Sequence, residues 1–559
     1  MTKNSAPNRQ PKNPRPYSTF LLLGALVIAS VVLFLALEEE PYHIDELRQT
    51  RSYTLPLYQI VERSFAQDQP PLDPILNSIA QTAIGQGDWQ QRILSALFAL
   101  AGFGIFGVIT RRAGFKRGAP FGVLVLALSP TLVSVFVYAR PYALPFFLIM
   151  AFLLSADYWL KEGRKTALPF LFITALLLPL SRTIEPTIAL GAVLLVLVVL
   201  RLAGRTKQFL GSVWVPVGAG ALGIVAIGLP VIARLRAQLT GYTQNGLVPS
   251  MEQVTRLVTE LPETLAASIP AWPAAVMVVI GLLVSKPIRR ALTRTWWAWV
   301  LLILPTTFTL MFLLTTNPSQ PLFERYMFTW IPLLALLVSA VMSEFRLRRS
   351  QRFVVWGSAA TVVLIGASAL QLAADFSSQE RGDWKALSNT IEAQTGEESV
   401  VILEHLRPLG LYRSPFAGKP RYLPAERQTP RALDIIHTPE LVETGRPVVI
   451  AISGPTLAIT GWKQIPVDEV FSIYVPLEPV VGPTEAANAL LLFSHEIDPD
   501  RGATLALASA SLYLANKDEA TACAVIADLR AEPGLTERID LALSAGAVMD
   551  WRTYCAITG

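Results

Sequence analysis

Asp45 and Glu46 stand side by side just after a long apolar run, inside His43-Ile44-Asp45-Glu46-Leu47. A carboxylate held at a membrane surface and partly desolvated has the chemistry of a general base. The same pair also reads as solvated loop acids, or as negative charges near the start of a helix. Three isolated arginines sit at the ends of other apolar runs: Arg140 in Tyr138-Ala139-Arg140-Pro141-Tyr142, Arg182 in Ser181-Arg182-Thr183-Ile184-Glu185, and Arg325 in Glu324-Arg325-Tyr326. A charge near bilayer depth costs about 2.5–3.5 kcal/mol on insertion scales, so it is usually kept for a partner or a substrate. The plainer reading is that these side chains snorkel to the interface. Arg182 and Glu185 are close enough in sequence to pair with each other. Asp73, in Gln69-Pro70-Pro71-Leu72-Asp73-Pro74, reads as a second carboxylate or as an acid near the start of an interfacial helix. The four histidines are scattered and the cysteines number two, which excludes a close-spaced His motif, a Cys-rich zinc array and a disulfide-dense scaffold.

These residues need a frame. Of 559 residues, 52% belong to the AVILMFWYC set and 16% are charged, and the mean hydropathy is +0.44. An ordinary globular chain is about one quarter charged. The composition excludes solubility along the whole length, and disorder beyond short tails. The net charge of +5 reads as loop bias and not as a nucleic-acid footprint. Uncharged apolar runs of roughly 17–25 residues predict spanning helices. There are eleven, at about 18–37, 90–110, 119–138, 141–160, 167–183, 186–203, 209–233, 271–285, 296–315, 326–343 and 353–371. The first follows a basic stretch but is too long for a signal-peptide core. It leads into Glu38-Glu39-Glu40-Pro41 with no small-residue cleavage site, so it reads as an uncleaved span.

Positive charges give the orientation. With a cytoplasmic N-terminus, the inner loops hold Arg111, Arg112, Lys116 and Arg117; Lys161, Arg164 and Lys165; Arg201, Arg205 and Lys207; Lys286, Arg289, Arg290 and Arg294; and Arg346, Arg348, Arg349 and Arg352. The short outer loops then hold only Arg140, Arg182 and Arg325. Residues 38–89, residues 234–270 and everything after about 372 face outward, and the C-terminus is extracytoplasmic. Within 38–89, Pro70-Pro71 restarts the chain, and Leu72, Ile75, Leu76, Ile79, Ala80 and Ala83 recur at helical spacing. That predicts an amphipathic interfacial helix, ended by Gly85-Gln86-Gly87.

After residue 372 the character changes. "SVVILEHL", "RPVVIAISG" and "FSIYVPLEPV" read as short strands, and 484–550 is helical in pattern. The predicted organisation is a membrane module over 1–372 carrying the outer loop 38–89, an extracytoplasmic α/β domain over 373–482, and a helical hairpin tail of tetratricopeptide-like pattern over 483–559. Cys523 and Cys555 both fall in the tail, either as a disulfide or as two thiols.

Four segments carry a family resemblance, in order: "HIDELRQ" after the first span, "DQPPLDPIL" about two dozen residues on, "QRILSALFAL" opening the second span, and "YARPYAL" between the third and fourth. "ERYMFTWIPLLALL" and "GDWKAL" add weaker matches. Together they resemble the membrane-embedded GT-C glycosyltransferases, in the branch holding protein O-mannosyltransferases and aminoarabinose–lipid A transferases. Leu94 stands where the family's Arg-Leu-Pro-Ser-Ala-Leu has proline, Glu324 precedes Arg325 in place of a small residue or proline, and Asp73 replaces an aromatic.

The resemblance implies a mostly α polytopic membrane protein of GT-C type, with an α/β plus helical C-terminal domain outside. It implies transfer of a sugar from a polyprenyl-phosphate donor to a hydroxyl on a glycan, lipid or protein acceptor, at the outer face of the cell membrane. Asp45 then matches the base, with Glu46 orienting the acceptor or sharing a metal. Arg140 and Arg325 bind the departing phosphate, a task suited to a planar, always charged guanidinium. Tyr142 and Tyr326 position the head group or sugar, with Arg182 and Asp73 as further substrate contacts. Dependence on a divalent metal differs within the superfamily, so no cofactor is assigned. Two other classes compete: a transporter or lipid flippase, which should show internally repeated halves, and a non-catalytic scaffold using its tail to bind partners.

Overall fold

The structure is a computed structural model. It describes residues 17–39, 49, 53, 55–66, 70–85, 88–205, 211–225, 269–315, 328–345, 352–377, 390, 393, 400–403, 421–424, 448–453, 462–467, 471–477, 483–496, 506, 509–510, 513 and 518–531. By internal contact the chain divides into two compact units, residues 1–40 with 52–377 and residues 41–51 with 378–559.

The first unit is a helical membrane module. Its helices are α1 (Tyr17–Glu39), α2 (Leu57–Ala66), α3 (Leu72–Ile84), α4 (Asp88–Arg112), α5 (Ala119–Ala127), α6 (Pro130–Val137), α7 (Ala143–Glu162), α8 (Ala167–Ser181) and α9 (Ile184–Leu202). They continue with α10 (Trp214–Val225), α11 (Trp272–Val284), α12 (Lys286–Arg294), α13 (Trp296–Thr315), α14 (Ile331–Phe345) and α15 (Arg352–Ser377). Each of the eleven apolar runs carries helix in its described part. Among the described residues, five helices are long and apolar enough to cross a membrane: α1, α4, α7, α9 and α15. Leucines, valines and phenylalanines line their outer faces, as on Phe20, Val27, Val199 and Leu370. Such a surface belongs in lipid.

The run at 119–138 departs from expectation. It is two helices, α5 and α6, bent by 64°. The cause is local: Pro130 has no N–H to continue a ladder, and the Ser129 side chain caps α6 by accepting from the Leu132 amide at 3.4 Å. Glycines 118 and 122 let α5 lie directly on α14. A Cβ on Gly122 would meet the Ala335 carbonyl oxygen at 2.7 Å, and the Gly118 amide donates to Ser343 Oγ at 2.9 Å. Small residues at a helix crossing are the usual way for spans to approach closely in lipid.

α3 forms where its periodicity predicts and stops at Gly85, whose φ is +92°. Its polar stripe Asp73, Asn77, Gln81 is buried, while Ile79 and Ile84 are exposed. The helix thus turns its amides and carboxylate inward, packs Leu72 and Leu76 against the core, and leaves Ile79 and Ile84 on the outside, an arrangement that suits an interfacial helix.

At one end of the module an ionic cluster ties three connections together. Asp157, on α7, is fully buried and accepts from Arg112 Nε at 2.9 Å and Lys161 Nζ at 2.8 Å, with Trp296 Nε1 at 3.4 Å. Arg112 also pairs with Glu162 at 2.7 Å and lies over the Tyr158 ring at 3.7 Å. The loops after α4, after α7 and before α13, all rich in the expected cations, therefore share one end of the bundle. The cations of α12 (Lys286, Arg289, Arg290, Arg294) are exposed and its Ile288 is buried.

The second unit holds a five-stranded sheet of β1 (Val400–Leu403), β2 (Arg421–Pro424), β3 (Val448–Ser453), β4 (Trp462–Pro466) and β5 (Phe471–Pro476). The order is β2-β1-β3-β5-β4; β1 runs parallel to β2 and β3, while β5 runs antiparallel to β3 and β4. The three predicted strand segments supply β1, β3 and β5. Helices α16 (Pro483–Glu496) and α17 (Glu519–Ala531) follow. Ser509 Oγ donates to the Ala487 carbonyl at 2.7 Å, fastening the chain to α16. Cys523 is disulfide-bonded, and Cys555, the chain's other cysteine, lies outside the described residues.

Candidate functional site

α7 is 20 residues long, so its two ends lie about 30 Å apart. The ionic cluster occupies its C-terminal end. The residues singled out for chemistry gather at the other.

Leaving α6, the chain extends at Tyr138 and then coils tightly. The Arg140 amide donates to the Tyr138 carbonyl, and the Tyr142 amide donates to the Arg140 carbonyl, both at 2.7 Å. These i→i+2 bonds are γ-turn contacts, and Pro141 between them stiffens the coil. Tyr53, 2% exposed, clamps it from outside: its hydroxyl lies 3.0 Å from the Ala139 carbonyl and 3.4 Å from Asp73 Oδ2. Asp73 thus touches the coil through Tyr53 and is not on the cavity wall described below.

Tyr142 opens α7 and is buried. Arg140 Nη1 approaches its hydroxyl at 3.4 Å. The Arg182 guanidinium carbon lies 4.0 Å from the ring centroid, a cation–π distance. Phe328 meets the same ring edge-on, with centroids 5.7 Å apart. Arg182 is the extended residue that ends α8, and Glu185 stands in the first turn of α9, where a helix dipole favours a negative charge. Their pairing is observed: Arg182 Nε lies 3.1 Å from Glu185 Oε2. Phe328 and Thr329 come from a 3₁₀ turn before α14. The turn is anchored to α13 by Trp330 Nε1 donating to Thr309 Oγ1 at 3.0 Å.

Tyr142, Arg182, Glu185, Phe328 and Thr329 form the polar and aromatic end of a narrow, partly open cavity. The rest of its wall is apolar, from Pro145 and Ile149 on α7 to Leu301 and Leu304 on α13. Two guanidiniums and one carboxylate around one tyrosine leave a single net positive charge beside an apolar slot. That combination fits an amphiphile with a singly charged anionic group. Among the described residues no group of three or more His, Cys, Asp or Glu side chains is placed to hold a metal ion.

Of the residues expected from sequence, the structure brings Arg140, Tyr142 and Arg182 together and places Asp73 one residue away through Tyr53. Asp45, Glu46, Arg325 and Tyr326 lie outside the described residues. Sequence reasoning missed Tyr53, Phe328 and Thr329, and it carried Arg92 only within the QRILSALFAL motif, without a role. Arg92 is 1% exposed and donates to the Leu37 carbonyl at 3.2 Å, at the end of α1 that leads into the Asp45 segment.

No protein-family profile matches the sequence, and no curated protein matches it. Solved structures do. ArnT from Cupriavidus metallidurans, bound to undecaprenyl phosphate, is similar with a TM-score of 0.50 and 14% identity, over 82% of this chain and 98% of that one. Its apo form matches to the same extent. The Archaeoglobus fulgidus oligosaccharyltransferase aligns at a TM-score of 0.46 and 13% identity, over 78% of this chain and 70% of that one. The likeness to ArnT shows the fold: the chain is a polytopic membrane protein of GT-C architecture.

Proposed function

We propose that this chain, built on the GT-C fold, is a membrane glycosyltransferase that takes a sugar from a polyprenyl-phosphate donor and passes it to a hydroxyl acceptor at the extracytoplasmic face. The observation that carries the proposal is the cluster of Arg140, Tyr142 and Arg182 beside an apolar cavity within one compact unit. The apolar wall suits the prenyl chain, and the guanidiniums suit the phosphate. The undecaprenyl phosphate bound by ArnT, which shares the fold, supports the same ligand class.

In this reading the acceptor oxygen attacks the anomeric carbon while the bond from that carbon to the phosphate oxygen breaks. Asp45 takes the acceptor proton and Glu46 orients the acceptor. The phosphate leaves with an added negative charge, and Arg140, with Arg325, stabilises it there. Tyr142 and Tyr326 hold the head group. The N-terminus is cytoplasmic in this scheme and the tail extracytoplasmic.

Comparing cell-envelope glycans and lipids by mass spectrometry, with and without the gene, tests the proposal. A glycan, lipid or protein that loses one defined sugar is the expected result. An unchanged envelope, together with no transfer by purified protein from undecaprenyl-phosphate sugars, overturns it.

A further inference from the structure

Glu185 is 2% exposed. Arg182 forms an ion pair with its Oε2 at 3.1 Å, and neither carboxylate oxygen has a hydrogen-bond partner among the described residues. Thr329 Oγ1 is in the same state, in a side chain 5% exposed. The two come from distant parts of the chain, yet both line the one cavity. Buried polar atoms are nearly always satisfied, and each exception calls for a reason. A carboxylate oxygen only accepts, and a hydroxyl can donate or accept. Together they ask for a ligand group that donates a hydrogen bond. The phosphate is excluded from that position, because a carboxylate repels it and the guanidiniums attract it.

We propose that Glu185, assisted by Thr329, reads the transferred sugar by accepting a hydrogen bond from one of its hydroxyl or ammonium groups. The proposal rests on the glycosyltransferase reading above. It makes Glu185 a specificity residue and predicts that the protein distinguishes the loaded carrier from the bare one. Arg182 then has two tasks. It holds one oxygen of Glu185 in place, and it stacks on Tyr142, so the sugar contact and the head-group contact share a single support.

The test titrates full-length protein in lipid nanodiscs with three probes: undecaprenyl phosphate, its ester with a neutral hexose, and its ester with an aminopentose. Wild-type protein is expected to bind one ester about tenfold or more tightly than undecaprenyl phosphate, the range of a charge-assisted hydrogen bond. The preferred ester tells a hydroxyl contact from an ammonium contact. Glu185→Met removes the acceptor at similar length and should abolish the preference between the ester and undecaprenyl phosphate. Glu185→Gln retains one acceptor oxygen and should recover part of it. Should Glu185→Met fail to fold, Thr329→Val carries the test, with an expected loss of about threefold in preference. A preference unchanged in the folded variants, or equal binding of all three probes by wild type, overturns the role of Glu185 and leaves the lipid-phosphate reading standing. Failure of wild type to bind any probe overturns both.

Discussion

The guanidinium of Arg182 lies 4.0 Å from the ring centroid of Tyr142 and pairs through Nε with Glu185. An arginine engaged on two sides is fixed in place, unlike one that snorkels to the interface. Tyr142 is the shared support, since Arg140 reaches its hydroxyl and Phe328 its edge. Cation–π contacts are worth about 0.5–2 kcal/mol depending on desolvation. Tyr142→Phe keeps the ring and should cost at most about threefold in donor affinity, whereas Tyr142→Ala should cost about tenfold or more. Binding of undecaprenyl phosphate to the two variants checks the ranking; equal losses contradict it.

Arg140→Lys keeps a charge and loses the planar fork. Slower turnover and weaker donor binding are expected at normal protein levels. Wild-type turnover and donor affinity in this variant would show that Arg140 does not contact the phosphate.

The ionic cluster at the far end of α7 predicts a stability effect without a catalytic one. Asp157→Ala leaves Arg112 and Lys161 without their shared carboxylate. Breaking a fully buried pair costs about 3–5 kcal/mol. Arg112 and Lys161 are partly exposed, at 19% and 32%, so about 1–3 kcal/mol is expected here. Thermal unfolding in detergent should fall by several degrees, and activity per folded molecule should hold.

Gly122→Leu should drive α5 from α14, because even a Cβ meets the Ala335 carbonyl. Overpacking costs about 1–3 kcal/mol or more, and a backbone in the way puts this site at the upper end. The yield of folded protein after membrane extraction checks it, and Gly104→Leu, where a Cβ meets nothing within 4 Å, is the control.

The helices were legible from hydropathy because lipid demands long uncharged runs. Three of the five strands, β1, β3 and β5, were legible from β-branched segments, while the edge strands β2 and β4 were not. The break between α5 and α6 was written in Ser129-Pro130, yet a continuous apolar run concealed it. The Arg182–Glu185 pair was readable as an i,i+3 neighbour. The Tyr142 cluster was not, because its partners are distant: Phe328 arrives from the turn before α14, and Tyr53 reaches Ala139 across 86 positions. Local pattern sets helices and turns, but only the packed bundle decides which turns meet. α3 shows a related point, since its periodicity was visible while the inward direction of Asp73, Asn77 and Gln81 depended on the neighbours it packs against.

Sugar transfer by Asp45→Asn is the most direct test of the central claim. The change is nearly isosteric, keeps hydrogen bonding and removes only the ability to accept a proton. A positioned general base contributes about 10²–10⁴-fold. Purified wild-type protein should transfer sugar from an undecaprenyl-phosphate donor to a hydroxyl acceptor, and Asp45→Asn should lose at least about a hundredfold in rate while binding donor normally. Transfer by Asp45→Asn at the wild-type rate would contradict the assignment.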